Sequence, residues 1–164
     1  MQRFLYSPSR GANQKSRQNN GGFLISSIWG KRYRIHFMII TQQNNIILVI
    51  FDQSVNEKQK QVEQAEELIA EIKKIFANNP GKKFGLILDL SKPKLFLDTS
   101  SWEAVKIYEQ IVNLEQMHRT SILAAPNVAD YLIEVAFSMI AKDKVGWFSE
   151  HKKAEMWVKI GLNN

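Results

Sequence analysis

Two groups of side chains offer chemistry in this sequence, and the first is Asp98-Thr99-Ser100-Ser101, followed directly by Trp102 and Glu103. Three hydroxyls ahead of an amphipathic stretch suit the mouth of a helix, where a serine oxygen can accept a bond from a free backbone N–H. A phosphoryl group on such a hydroxyl would be stabilised by the same N–H groups and by the helix dipole. The competing reading is plain: Ser100 only caps the helix, a role worth about 1 kcal/mol. The second group is a pair of carboxylates, Asp89 and Asp52, each ending a strand-like run. Open α/β sheets place ligands at the carboxyl ends of strands, which makes Asp89 a candidate ligand-loop residue.

The remaining reactive side chains lack partners at useful spacings. His36, His118 and His151 have no second ligand nearby, and no HExxH pattern occurs, so no metal site is expected. Neither GxGxxG, GxxxxGK[ST] nor GxSxG is present, which leaves no phosphate cradle and no serine-hydrolase elbow. With 0 cysteines the chain has no disulfide, thiol nucleophile or thiolate metal site, a composition that fits a reducing, cytoplasmic setting. Glu63, Glu66, Glu67 and Glu71 alternate with Lys60, Lys73 and Lys74, the pattern of a solvated helix face rather than of paired catalytic acids. No enzyme activity and no cofactor is expected.

The charge is unevenly spread. The chain carries 22 basic and 16 acidic residues for a net +6. Residues 1–37 hold seven of the basic residues (Arg3, Arg10, Lys15, Arg17, Lys31, Arg32, Arg34) and no acid, so residues 38–164 keep 15 basic against 16 acidic, a net of −1. A nucleic-acid footprint would be a basic patch on the folded part, and none is visible. No apolar run reaches the ~20 residues of a membrane-spanning helix. Residues 1–37 read as a basic N-terminal extension, disordered on account of the Ser, Asn, Gln and Gly content from Ser7 to Gly22. Its acid-free, Arg-containing composition also fits an organelle transit peptide. A third alternative is that the extension is not native, because Met38 opens the first strand-like run directly.

What must position these groups is one α/β domain over residues 38–164. Met38–Thr41 and Ile46–Phe51 are β-branched runs joined by Gln42-Gln43-Asn44-Asn45, a hairpin. Ser54 and Glu57 have capping-box spacing ahead of a helix with Val62, Ala65, Leu68, Ile69, Ile72, Ile75 and Phe76 on one face, stopped at Asn78-Asn79-Pro80-Gly81. Phe84–Leu90 is apolar almost throughout, as a strand covered on both faces should be. Ser100 and Glu103 repeat the capping-box spacing before a helix with Trp102, Val105, Tyr108, Ile111 and Leu114. Thr120–Ala124 is a strand, Asn127 opens a helix through Leu132, Ile133, Ala136, Phe137 and Ile140, Val145–Phe148 is the last strand, and Ser149 caps the final helix. The order ββαβαβαβα predicts a mixed sheet opened by a β-hairpin, with crossover helices against it.

Two stretches resemble known families. Asp89-Leu90-Ser91-Lys92-Pro93, with Asp52 on an earlier strand, resembles the phosphoacceptor loop of response-regulator receiver domains. The receiver's hydroxyl and lysine positions are here occupied by Ala124 or Ala125 and by Phe148 or Ser149, so the resemblance implies a degenerate receiver-like domain at most. The longer segment LILDLSKPKLFLDTSSWEAV resembles the signature of the STAS family, the anti-sigma-factor antagonists and their relatives. In that family a strand ending in Asp-Leu-Ser leads to a hydrophobic-Asp-Ser-Ser-Gly turn that opens a helix. The chain's end, VGWFSEHKKAEMWV, is similar to the closing strand and helix of the uncharacterised, lipid-transfer-like branch.

The STAS resemblance implies that Ser100 matches the serine phosphorylated by a partner kinase, that Asp98 matches the acid before it and that Thr99 holds the other hydroxyl position. Ser101 stands where the regulatory branch has glycine, a loss of backbone freedom at the turn. That Ser100, Thr99 and Ser101 are candidate phospho-acceptors, and Asp98 and Trp102 candidate partner contacts, is what this resemblance implies. The resulting expectation is a non-enzymatic module acting through a protein partner, switched by phosphorylation, with an exposed surface around Thr99–Trp102. A phosphate on Ser100 would add about −2 charge there. The alternative is a binder of a small hydrophobic ligand or lipid, to which Phe137, Met139, Trp147, Phe148, Met156 and Trp157 would contribute; the same aromatics also serve as sheet-covering core.

Overall fold

The computed structural model describes residues 32–35, 37–92, 101–124 and 143–162. In chain order its elements are β1 (Arg32–Ile35), β2 (Met38–Gln43), β3 (Ile46–Phe51), α1 (Lys58–Ala77), β4 (Phe84–Asp89), α2 (Trp102–Asn113), β5 (Met117–Leu123), β6 (Val145–Phe148) and α3 (His151–Lys159). The helix expected from Asn127 and the loop from Pro93 to Leu97 lie outside the described residues, as do Phe137 and Met139.

The strands form one mixed sheet in sequential order, β1 to β6. β1, β2 and β3 are antiparallel, and β3 to β6 run parallel to one another. A turn at Asn44-Asn45 joins β2 to β3, and Asn44 takes the left-handed conformation (φ 53°) that Asn tolerates better than other side-chain-bearing residues. The hairpin is therefore tighter than the four-residue turn read from the sequence. β1 is a strand the sequence reading missed. The sheet begins upstream of Met38, and residues 32–35 belong to it rather than to an extension. Its pairing, Tyr33 with Ile40 and Arg34 with Ile39, continues the alternation of β2.

The two faces of the sheet are covered differently. On one side α1 and α2 pack over a core that joins Met38, Ile40, Val49, Phe51, Leu86 and Leu88 of the strands to Leu68, Ile72, Ile75 and Phe76 of α1 and Ile111 of α2. Successive parallel strands advancing in one direction carry right-handed crossovers to one face, which is why both helices lie together. Phe76 stacks on Phe84 with ring centroids 5.3 Å apart. Each such fully buried side chain contributes about 1.5–3 kcal/mol.

On the other side α3 lies across the parallel strands and joins Ile46, Leu48 and Ile87 through Val158, with Leu162 beyond its end. Close approach requires small residues beneath it. A Cβ at Gly85 would stand 3.0 Å from Val158 Cβ, and one at Gly146 would stand 2.8 Å from Phe148 Cε2. Two basic side chains of β5 close the end of α3: Arg119 Nη1 donates to the Trp157 carbonyl at 3.2 Å with its guanidinium 5.0 Å from the Trp157 ring, and His118 Nε2 donates to the Ile160 carbonyl at 2.8 Å. The Arg119 guanidinium is a cation, which suits the negative end of a helix dipole.

Three expected caps differ from those observed. α1 begins at Lys58 with Glu57 as its cap residue and no side-chain cap bond from it, so the helix does not start at Ser54. α3 begins after Glu150, again without a side-chain cap, rather than at a Ser149 cap. At α2 the cap is Ser101 and not Ser100.

Candidate functional site

The carboxyl ends of β3 and β4 and the first turn of α2 lie at the same edge of the sheet, because each crossover helix starts where the preceding strand stops. Asp89 ends β4, and its Oδ1 accepts bonds from Ser91 N at 2.9 Å and Ser91 Oγ at 2.5 Å. This is an Asx turn, which steers the chain out of the strand. The carboxylate is thereby engaged in local structure. Asp52, just beyond β3, has its Oδ2 3.4 Å from Arg34 Nη2 of β1, while its backbone N–H donates to the Phe37 carbonyl at 3.0 Å. Its Oδ1 is buried without a hydrogen-bond partner.

These acids do not form a receiver site. Receiver-type sheets have the order 2-1-3-4-5, with a switch point where the strand order reverses. Here the parallel strands run β3-β4-β5-β6 without reversal, so the crevice that would expose an acid pair is absent from the sheet order. The receiver-like alternative is corrected on that ground.

The mouth of α2 is built with more care. Ser101 Oγ accepts from Ala104 N at 3.5 Å, and Val105 N donates to the Ser101 carbonyl at 3.1 Å, which starts the helix. The Ser101 backbone N–H donates in turn to Gln61 Oε1 of α1 at 2.8 Å. Gln61 Nε2 donates to the Val55 carbonyl, also at 2.8 Å, in the segment between β3 and α1. One side chain therefore ties three pieces of chain at this edge. Ser101 is only 5% exposed. Its hydroxyl is a buried cap, which takes it out of the set of open phospho-acceptors.

One residue later the exposure changes abruptly. Trp102 is 56% exposed, and Glu103 beside it is exposed in the first turn, where an acid complements the dipole. Asp98, Thr99 and Ser100 lie outside the described residues. Further along α2, Tyr108 faces inward with its ring edge-on to Phe51, centroids 6.5 Å apart. Burial pushes its phenol well above the ordinary tyrosine value of 10.0.

The other residues with chemical potential are placed elsewhere. His118 serves the end of α3, His151 sits in the first turn of α3, and His36 lies outside the described residues. Among the described residues no three His, Asp or Glu side chains gather to hold a metal ion. Glu71 pairs with Lys74 along α1, as the solvated-face reading required. No described helix is long and apolar enough to cross a membrane.

Gln61 escaped the sequence reading. A glutamine between Lys60 and Val62 near the start of a helix looks solvated, and its partner at position 101 is 40 residues away. No local spacing signals such a bond.

No protein-family model and no curated protein sequence matches the chain. Among solved structures it is similar to the crystal structure of an uncharacterized protein of the DUF3478 family with a SpoIIAA-like fold, from Shewanella loihica PV-4. The two are 12% identical, the alignment covers 79% of this chain and 99% of the other, and the TM-score is 0.51. At that identity the likeness concerns architecture alone, and it agrees with the hairpin-led mixed sheet and its crossover helices. The chain has a SpoIIAA-like, that is STAS-like, fold.

Proposed function

We propose that the chain is a non-enzymatic, STAS-like binding module that engages a protein partner at the mouth of α2. The observation that carries this reading is the exposure of Trp102, at 56%, on the first turn of a helix whose start is fixed by Ser101 and Gln61. A large aromatic ring held in place and left in water is the kind of anchor that dominates protein interfaces. Aromatic anchors lose little side-chain freedom on binding, and a fixed helix start lowers that cost further. The engagement of the Asp89 carboxylate in the turn after β4 also fits a binding role better than that of a free catalytic acid.

Ser100 is the proposed switch. It directly precedes the cap Ser101 in the sequence, so a phosphate there would add negative charge near the start of α2 and repel an acidic partner surface. The test is affinity capture with the full chain from cells that express it natively, comparing wild type with Trp102→Ala, Ser100→Asp and Ser100→Ala. Partners retained by wild type and Ser100→Ala but lost by Trp102→Ala and Ser100→Asp are expected. Identical recovery by all four chains would remove the partner reading. Recovery lost only with Trp102→Ala would keep the surface and remove the switch.

A further inference from the structure

We infer that Gln61 is a positioning residue that couples the segment between β3 and α1 to the mouth of α2, so that a displacement at either one is felt at the other. The chemistry of its amide fixes how it is used. Ser101 N–H can only donate, so it must meet the amide oxygen, and the Val55 carbonyl can only accept, so it must meet the amide nitrogen. Both ends of one planar group are thus engaged at once, each at 2.8 Å. The plane cannot turn to follow one partner without abandoning the other.

The consequence reaches both neighbours. Ser101 is the cap of α2, so its position sets the direction of the first turn and with it the place of Trp102. Val55 lies in the connection that runs from the end of β3, beside Asp52, to the start of α1, and Gln53 and Asn56 of that connection are exposed. A visitor that moves the connection therefore pulls on the helix mouth through the Gln61 side chain. The functional weight of this coupling rests on the partner reading above, but the coupling itself is measurable without any partner.

Amide hydrogen exchange and backbone resonances of the full chain provide the test, with Gln61→Glu and Gln61→Leu as the variants. Glutamate keeps an acceptor for Ser101 N–H and presents a second oxygen to the Val55 carbonyl, which it cannot satisfy. Leucine serves neither. In Gln61→Glu the Ser101 amide should stay protected while exchange across residues 53–57 rises. In Gln61→Leu both should lose protection, the Ser101 amide by about tenfold, the scale of one ordinary hydrogen bond. Protection of β4 amides should be unchanged in both, a split that general destabilisation does not produce. Ser101→Ala, which frays the first turn, should shift resonances of residues 53–57 in the wild-type background and leave them in place beside Gln61→Leu. Uniform exchange changes across the chain in both variants, or shifts from Ser101→Ala that survive Gln61→Leu, would overturn the coupling. If the split appears while Trp102→Ala captures the same partners as wild type, the coupling stands and the partner reading fails.

Discussion

The centre of β4 and the mouth of α2 follow one another in the chain, yet they are built on opposite principles. In β4, Phe84, Leu86 and Ile87 are each 0% exposed, with α1 on one face and α3 on the other. Nothing there is available to a visitor, and every side chain is held by packing. At the mouth of α2, position is fixed by three hydrogen bonds around Ser101, and exposure rises from 5% at Ser101 to 56% at Trp102. Packing of this density tolerates no change of volume, whereas a hydrogen-bonded rim can present one large side chain without disturbing its support. Stability and recognition are thereby separated, and substitutions should divide accordingly.

The largest effect should come from the first region. Leu86→Ala removes a fully buried side chain from the α1 core and should lower unfolding free energy by about 2–5 kcal/mol, read as a shift in the denaturant midpoint. Gly146→Ala tests the α3 face, where the new Cβ would stand 2.8 Å from Phe148 Cε2 and 3.0 Å from Trp157. Overpacking there should cost about 1–3 kcal/mol in the same measurement. A loss within 0.5 kcal/mol would show that α3 floats on the sheet, and would blur the contrast between the two regions. Ser101→Ala removes only a cap bond and should cost about 1 kcal/mol.

Tyr108 lies between the two regions, on α2 but facing the core, and it gives the contrast a pH dependence. Its phenol is raised by burial, so the folded state holds the proton after the unfolded state has released it. Stability from this group is intact below the ordinary value of 10.0 and declines as the pH climbs above it. Tyr108→Phe should therefore flatten the alkaline fall in thermal stability and remove the matching rise in tyrosinate absorbance that accompanies unfolding. An absorbance rise from Tyr108 near pH 10 in the folded protein would contradict the raised phenol. The smallest effect on stability is expected from Trp102→Ala, within about 0.5 kcal/mol, because so exposed a ring contributes little packing.

The sequence made the middle of the fold legible and its margins much less so. The unbroken apolar run from Phe84 announced a covered strand, and the stripe from Leu68 to Phe76 announced an amphipathic helix through its period. β1 was hidden because four residues, RYRI, are a short run, and its arginines read with the basic extension that precedes it. The capping boxes misled for a specific reason. Ser54-Glu57 and Ser100-Glu103 have the right spacing, but spacing does not say where a helix begins. At α2 the start is set at Ser101, whose N–H donates to Gln61, and at α1 the chain enters helix only after Glu57. The exposure of Trp102 was legible from its place after the hydroxyl run. The burial of Ser101 was not, since it follows from a partner distant in sequence.

The most direct measurement is hydrogen exchange of the full chain with and without the partner that wild type captures. Protection should appear at residues 101–106 and 53–57, leaving the outer side of α3, where Met156 and Ile160 are 61% and 57% exposed, unchanged. Protection confined to α3, with the mouth of α2 exchanging as in the free chain, would contradict the assignment of the binding surface.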